Sequence, residues 1–152
     1  KSGINPRVFC LELTESAAIA NLARAEKVMK HLRELGCSIA LDDFGTGYSS
    51  LSYLKRFPLD CLKIDRSFVE GLPDDNDSAA IAETIVAMAR KLGLVVVAEG
   101  VETSEQSRFL RACGCKLVQG FFFSKPLPPA QLAAFVTNAV STEGAFLLPE
   151  GH

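Results

Sequence analysis

The feature that most constrains this chain is a fivefold alternation of short apolar runs with helical segments. Residues 8–13 read as a strand, and residues 17–35 follow as a helix with Val28, Leu32 and Leu35 on one face and Gly36 as its stop. Residues 38–42 form a second strand, and a short helix over 49–56 ends before Pro58. A third strand covers 61–65. The helix after it, over 78–92, turns Ile81, Ile85, Met88 and Leu92 inward and closes on Gly93. Residues 94–98 are the fourth strand. The capping box Thr103-Ser104-Glu105-Gln106 opens the next helix, which stops at Gly114. Residues 116–122 are the fifth strand, and 129–140 a last helix with proline at its start.

Such alternation implies an α/β fold, a parallel sheet with helices packed outside it. Two architectures use it, the doubly wound sheet and the (β/α)8 barrel. The first favours a glycine-rich phosphate loop after the opening strand, and none stands there. A complete barrel needs about 250 residues. Five consecutive β–α units in 152 residues therefore read as a partial (β/α)8, TIM-type barrel without its first three strands. The acidic run Asp74-Asp75-Asn76-Asp77 reads as a solvated connection, and no domain boundary is visible. The opening Lys1-Ser2-Gly3 does not read as a natural start. Residues 150–152 read as the remnant of an expression tag, which leaves 1–149 as one unit.

Composition excludes some partners. A net charge of −2 offers no basic patch for DNA, RNA or an anionic membrane. No apolar run approaches the ~18 residues of a membrane span. Five scattered cysteines, an odd number, read as buried reduced thiols of a cytoplasmic protein. Cys113-Gly114-Cys115 lacks the second pair that a zinc site requires.

The polar residues of the strands carry the chemistry. Side chains alternate faces along a strand. If Phe9, Leu11 and Leu13 meet the outer helices, Glu12 points inward. By the same rule Lys63 and Asp65 share the inner face of the third strand, where Asp65 can pair with Lys63. Glu99 ends the fourth strand, Gln119 lies on the fifth, and Asp42-Asp43 ends the second. Each strand thus brings an ionisable or amide group to its C-terminal end, the face on which barrel active sites lie. A single such group reads most simply as a salt bridge or a cap. Four carboxylates around one lysine repel strongly unless divalent cations lie between them, and carboxylate oxygen suits Mg2+ or Mn2+. A two-metal site of this kind suits in-line phosphodiester hydrolysis. The three aromatics Phe121, Phe122 and Phe123 read mainly as core, and His31 as a surface residue.

These residues stand in ordered motifs: LELTES over 11–16, DDFGTGYSSL over 42–51, LKID over 62–65, VAEGVE over 97–102 and QGFFFSKPL over 119–127. Together they resemble the EAL domain of bacterial cyclic di-GMP phosphodiesterases, with 1–149 as its C-terminal portion. The resemblance implies hydrolysis of cyclic di-GMP to pGpG, with metal ligation by Glu12, Asp42 and Asp43. It implies a catalytic role for Lys63, a metal or water role for Glu99, and water positioning by Gln119. Supporting roles fall to Glu15, which anchors the loop 44–50, to Glu102 and to Asp65. That loop, with Gly45 and Gly47, and the short helix after it resemble the family's homodimerisation element. The Glu-Ala-Leu run that names the family, and an asparagine on the next strand, belong upstream of Lys1. Alone, this segment is therefore expected to be inactive. The alternative is a non-catalytic receptor that binds cyclic di-GMP.

Overall fold

The computed structural model describes residues 3–46 and 51–141. The start at Lys1-Ser2, residues 47–50 of the loop expected to serve dimerisation, and residues 150–152, expected as a tag remnant, lie outside the described residues. The strands are β1 (Cys10–Thr14), β2 (Ser38–Phe44), β3 (Cys61–Ile64), β4 (Val95–Ala98) and β5 (Leu117–Val118). Their order in the sheet is their order in the chain, and every neighbouring pair is parallel. The order never reverses, so among the described residues the sheet has no switch point of the doubly wound kind. The helices are α1 (Glu15–Ala20), α2 (Leu22–Glu34), α3 (Leu51–Leu54), α4 (Asn76–Lys91), α5 (Ser104–Ala112) and α6 (Pro129–Ser141). None among the described residues is long and apolar enough to cross a membrane.

The core lies between the sheet and its helices. Leu41, Leu62, Ile64 and Ala98 of the strands are fully buried, and Met29, Ala82, Val86, Ala89 and Leu110 of the helices join the same cluster. α4 buries Ala82, Ile85, Val86 and Ala89, spaced as one helical face. Ile81 and Leu92, expected inward, are exposed, and Met88 is half-buried. The small alanines let the helix lie close to the sheet, which turns the buried stripe toward them. α2 departs in the same way. It buries Met29, while Val28 and Leu35 are exposed and Leu32 is half-buried.

Residues 17–35, expected as one helix, form two. Asn21 breaks out of helical geometry at φ −153 and ψ 84, and its side chain accepts from the Arg24 N–H at 3.0 Å. A short amide side chain competes for backbone hydrogen bonds, which favours a cap over a continuous helix. The fifth strand is also shorter than expected. After Val118 the chain folds onto Val101, whose N–H donates to Gln119 O and whose carbonyl accepts from Phe122 N–H. Of the five cysteines only Cys115 is buried, and Cys10 is exposed. Burial pushes the Cys61 thiol up to about 12 and the Cys115 thiol up to about 11, so both stay protonated.

Candidate active site

The site grows from an irregularity in β2. Leu41 pairs with Leu62 and Phe44 with Ile64, so Asp42 and Asp43 together stand opposite the single residue Lys63. This is a β-bulge, one extra residue that resets the alternation of faces. It sets Leu41 and Phe44, an odd number of positions apart, opposite Leu62 and Ile64, which share a face. It also brings two successive aspartates to one end of the sheet. Asp43 carries the strain, with a left-handed φ of 55.

Lys63 is the centre of the site. It is buried, and its ammonium lies 2.8 Å from Glu12 Oε2, 3.3 Å from Asp42 Oδ1 and 2.6 Å from Glu99 Oε1. These acids come from β1, β2 and the end of β4. Gln119, just past β5, donates its Nε2 to the same Glu99 Oε1 at 2.7 Å. Every strand of the sheet thus supplies one member of a single polar cluster at its C-terminal end. Burial works against charge on Lys63, but its bonds to Glu12 and Glu99 outweigh that and raise its pKa. At Asp43, burial first and then the carboxylates of Asp42 and Asp65 raise the pKa, with Lys63 opposing.

The flanking residues sort differently from the expectation in one case. Asp65 does not pair with Lys63. Its carboxylate caps the turn Arg66–Phe68; burial would raise its pKa, but the hydroxyl and N–H that Ser67 donates to it bring it below the ordinary value. Glu15 is buried, with 1% exposure, and accepts from Gly45 N–H at 3.0 Å and from the Tyr53 hydroxyl at 2.6 Å. It therefore joins the start of the loop after β2 to α3. Glu102 pairs with Arg66 at 3.0 Å.

Beside Glu99 and Gln119 opens a cavity of about 580 Å³, walled also by Arg66, Glu102, Phe121 and Lys125. Phe121 and Phe122 are exposed rather than core, and Lys125 Nζ stands 5.8 Å from the Phe121 ring centre. Such an aromatic face with a cation beside it suits a flat π-system. Residues that sequence reasoning missed include Tyr53, Arg66 and Gly120. A hydroxyl that meets an acid 38 positions away leaves no periodic trace. Gly120 had a signal, its position next to Gln119.

The carboxylates suit a divalent metal by their chemistry, since an all-oxygen set is what Mg2+ or Mn2+ takes. Their placement gathers them around a lysine. Glu12, Asp42 and Glu99 already converge on one cation, the Lys63 ammonium, and Asp43 adjoins them. Among the described residues no three acids form a closed cage of their own, because Lys63 stands between them. Glu12, Asp42 and Asp43 are the residues that could hold such an ion.

The EAL domain family model matches residues 1–126. The chain belongs to the EAL family. Over 126 residues it is 55% identical to the cyclic di-GMP phosphodiesterase NbdA of Pseudomonas aeruginosa, covering 83% of this chain and 16% of NbdA. The solved PaMucR phosphodiesterase in complex with c-di-GMP superposes with a TM-score of 0.81 at 48% identity, over 85% of this chain and 52% of that one. A manganese and cy-diGMP complex of Klebsiella pneumoniae BlrP1 gives a TM-score of 0.76 at 42% identity, over 82% of this chain and 32% of that one. The EAL chain described here thus spans about half or less of each of these proteins.

Proposed function

We propose that the intact protein hydrolyses one phosphodiester bond of cyclic di-GMP to give linear pGpG, with Mg2+ or Mn2+ bound. The observation that carries this reading is the convergence of Glu12, Asp42 and Glu99 on Lys63, with Gln119 bonded to Glu99. The relatives named for this activity, and the solved complexes with the dinucleotide, support it. Glu12, Asp42 and Asp43 would hold the metal. When bound, the cation supplies Lewis acidity and lowers the pKa of water to within reach of neutral pH.

The chain's own residues do the rest. Gln119 and Glu99 orient the attacking water in line with the phosphorus, and the acidic cluster takes its proton. Lys63 donates to the phosphoryl oxygens as their charge grows, an electrostatic role that a dry, fixed ammonium performs well. A new P–O bond forms, the P–O3′ bond breaks, and the leaving ribose oxygen takes up a proton. Glu15 and Glu102 hold the surrounding loops. Asp65 holds the turn after β3. Cytoplasmic location, self-association through the loop from Phe44 and the short helix after it, and the assignment of 1–149 to one EAL segment belong to the same reading.

The test is chromatography of cyclic di-GMP incubated with the intact protein and Mg2+ or Mn2+. We expect pGpG from the wild type and none from Lys63→Ala. Binding without turnover by the wild type would make the protein a receptor and sink the proposal.

A further inference from the structure

Two loops leave the C-terminal end of the sheet side by side. One follows β3 and carries Asp65 and Arg66. The other follows β4 and carries Glu99 through Glu102. They are stitched together at three places. The Arg66 guanidinium meets Glu102 Oε1 at 3.0 Å. Gln106, nearly buried, accepts from the N–H groups of Glu102 and Thr103 at 2.7 and 3.1 Å, and donates to Glu70 O at 3.3 Å. The third contact is Arg66 on Gly100. Gly100 turns the chain at a φ of 69, and a Cβ there would stand 2.4 Å from Arg66 Cγ and 2.8 Å from its Cβ. The arginine stem therefore lies flat on the backbone of the residue after Glu99, in space that only glycine leaves open.

We infer that Arg66 is a positioning residue whose stem and ion pair strap residues 99–102 to the end of β3, and so fix where the Glu99 carboxylate stands beside Lys63 and Gln119. The inference rests on the phosphodiesterase reading, since it gives Glu99 a part in the reaction. The ion pair is half-exposed, and pairs of that kind hold little stability by themselves. What the strap supplies is placement. Glu99 Oε1 bonds both Lys63 and Gln119 at 2.6 and 2.7 Å, so a shift of its backbone disturbs both partners together. Misplacement of a reacting group by about 1 Å can cost as much as a hundredfold in rate. Arg66 also lines the cavity beside Glu99, which gives the rival reading, direct contact with substrate.

Two measurements on the intact protein separate these. The first is amide exchange of Glu102 and Thr103 in wild type, Arg66→Ala and Arg66→Lys. We expect about tenfold faster exchange in Arg66→Ala and recovery in Arg66→Lys, which keeps the stem and the charge. Unchanged exchange in Arg66→Ala would overturn the inference. The second is steady-state hydrolysis of cyclic di-GMP. We expect kcat to fall about tenfold in Arg66→Ala with KM within about twofold, and Arg66→Lys to recover most of it. A rise in KM at constant kcat would make Arg66 a substrate contact and overturn the positioning role. If the wild type shows no turnover, the phosphodiesterase reading fails, and the exchange measurement alone decides whether Arg66 is a strap.

Discussion

Gly120 sits where the chain crosses from β5 over the loop after β4, and Gly120→Ala tests how tightly that crossing is packed. A Cβ at this position would stand 2.1 Å from Val101 O, 2.3 Å from Val101 N and 2.7 Å from Val101 C, where ordinary contact begins near 3.4 Å. The overlap with the carbonyl oxygen is therefore more than an ångström. Val101 has no freedom to withdraw. It is fully buried, its N–H donates to Gln119 O at 3.1 Å, and its carbonyl accepts from Phe122 N–H at 3.0 Å. Overpacking by one methyl costs about 1–3 kcal/mol, and stretching two backbone bonds adds up to about 1 kcal/mol each. A loss of about 3 kcal/mol lowers the melting temperature of a domain this size by roughly 6–12 °C. Gly114→Ala is the control. It has a φ of 94 but nothing within 4 Å of a new Cβ, so it carries conformational strain alone. Melting followed by circular dichroism should rank Gly120→Ala well below Gly114→Ala. Melting of Gly120→Ala within about 2 °C of wild type would refute the packing argument.

Other tests follow from the same geometry. Tyr53→Phe removes a hydroxyl that donates to the buried Glu15 carboxylate, and should lower stability by about 1.5–3 kcal/mol in guanidinium unfolding. Gln106→Ala deprives the N–H groups of Glu102 and Thr103 of their acceptor and should cost about 2 kcal/mol, read from the same unfolding midpoints. Saturating Mn2+ should raise the melting temperature of the wild type, while Asp42→Asn should lose most of that rise. An equal rise in both would remove Asp42 from the ligand set. The raised pKa of Lys63 sets a pH dependence. Its contribution to stability is complete below its unfolded value near 10.5 and is lost as pH climbs beyond it, so Lys63→Met should flatten the alkaline arm of a stability–pH profile.

Most of the frame was legible because strand alternation and the β–α rhythm are local. Glu12, Lys63, Glu99 and Gln119 were each placed by counting along one strand, and they converge as the count requires. Counting failed where one residue was inserted. Strict alternation would send Asp42 and Asp43 to opposite faces, and the bulge overrides it. Helix faces were misjudged at Val28 and Ile81 because bulk was weighed above closeness of approach. The sheet instead takes Met29 and the alanines of α4. The shortened β5 reflects Gly120 and Val101, a long-range contact invisible to any local pattern. Asp65 was drawn toward Lys63 by its face, but a hydroxyl two positions away claims it first.

The bulge at Asp42 and Asp43 also bears on how this sequence can change over time. Phe44, with 4% exposure, pairs with Ile64 while two residues, Asp42 and Asp43, face the single Lys63 before it. Deleting one aspartate would restore simple alternation and leave the aromatic two positions after Leu41, on the same face and still opposite Ile64. Replacing Asp43 is the more demanding change, because its left-handed φ of 55 disfavours most side chains. Descendants that abandon chemistry while keeping the fold can therefore shed one of these acids by deletion without losing the core. The pairing of Phe44 with Ile64 should outlast the length of the stretch before it.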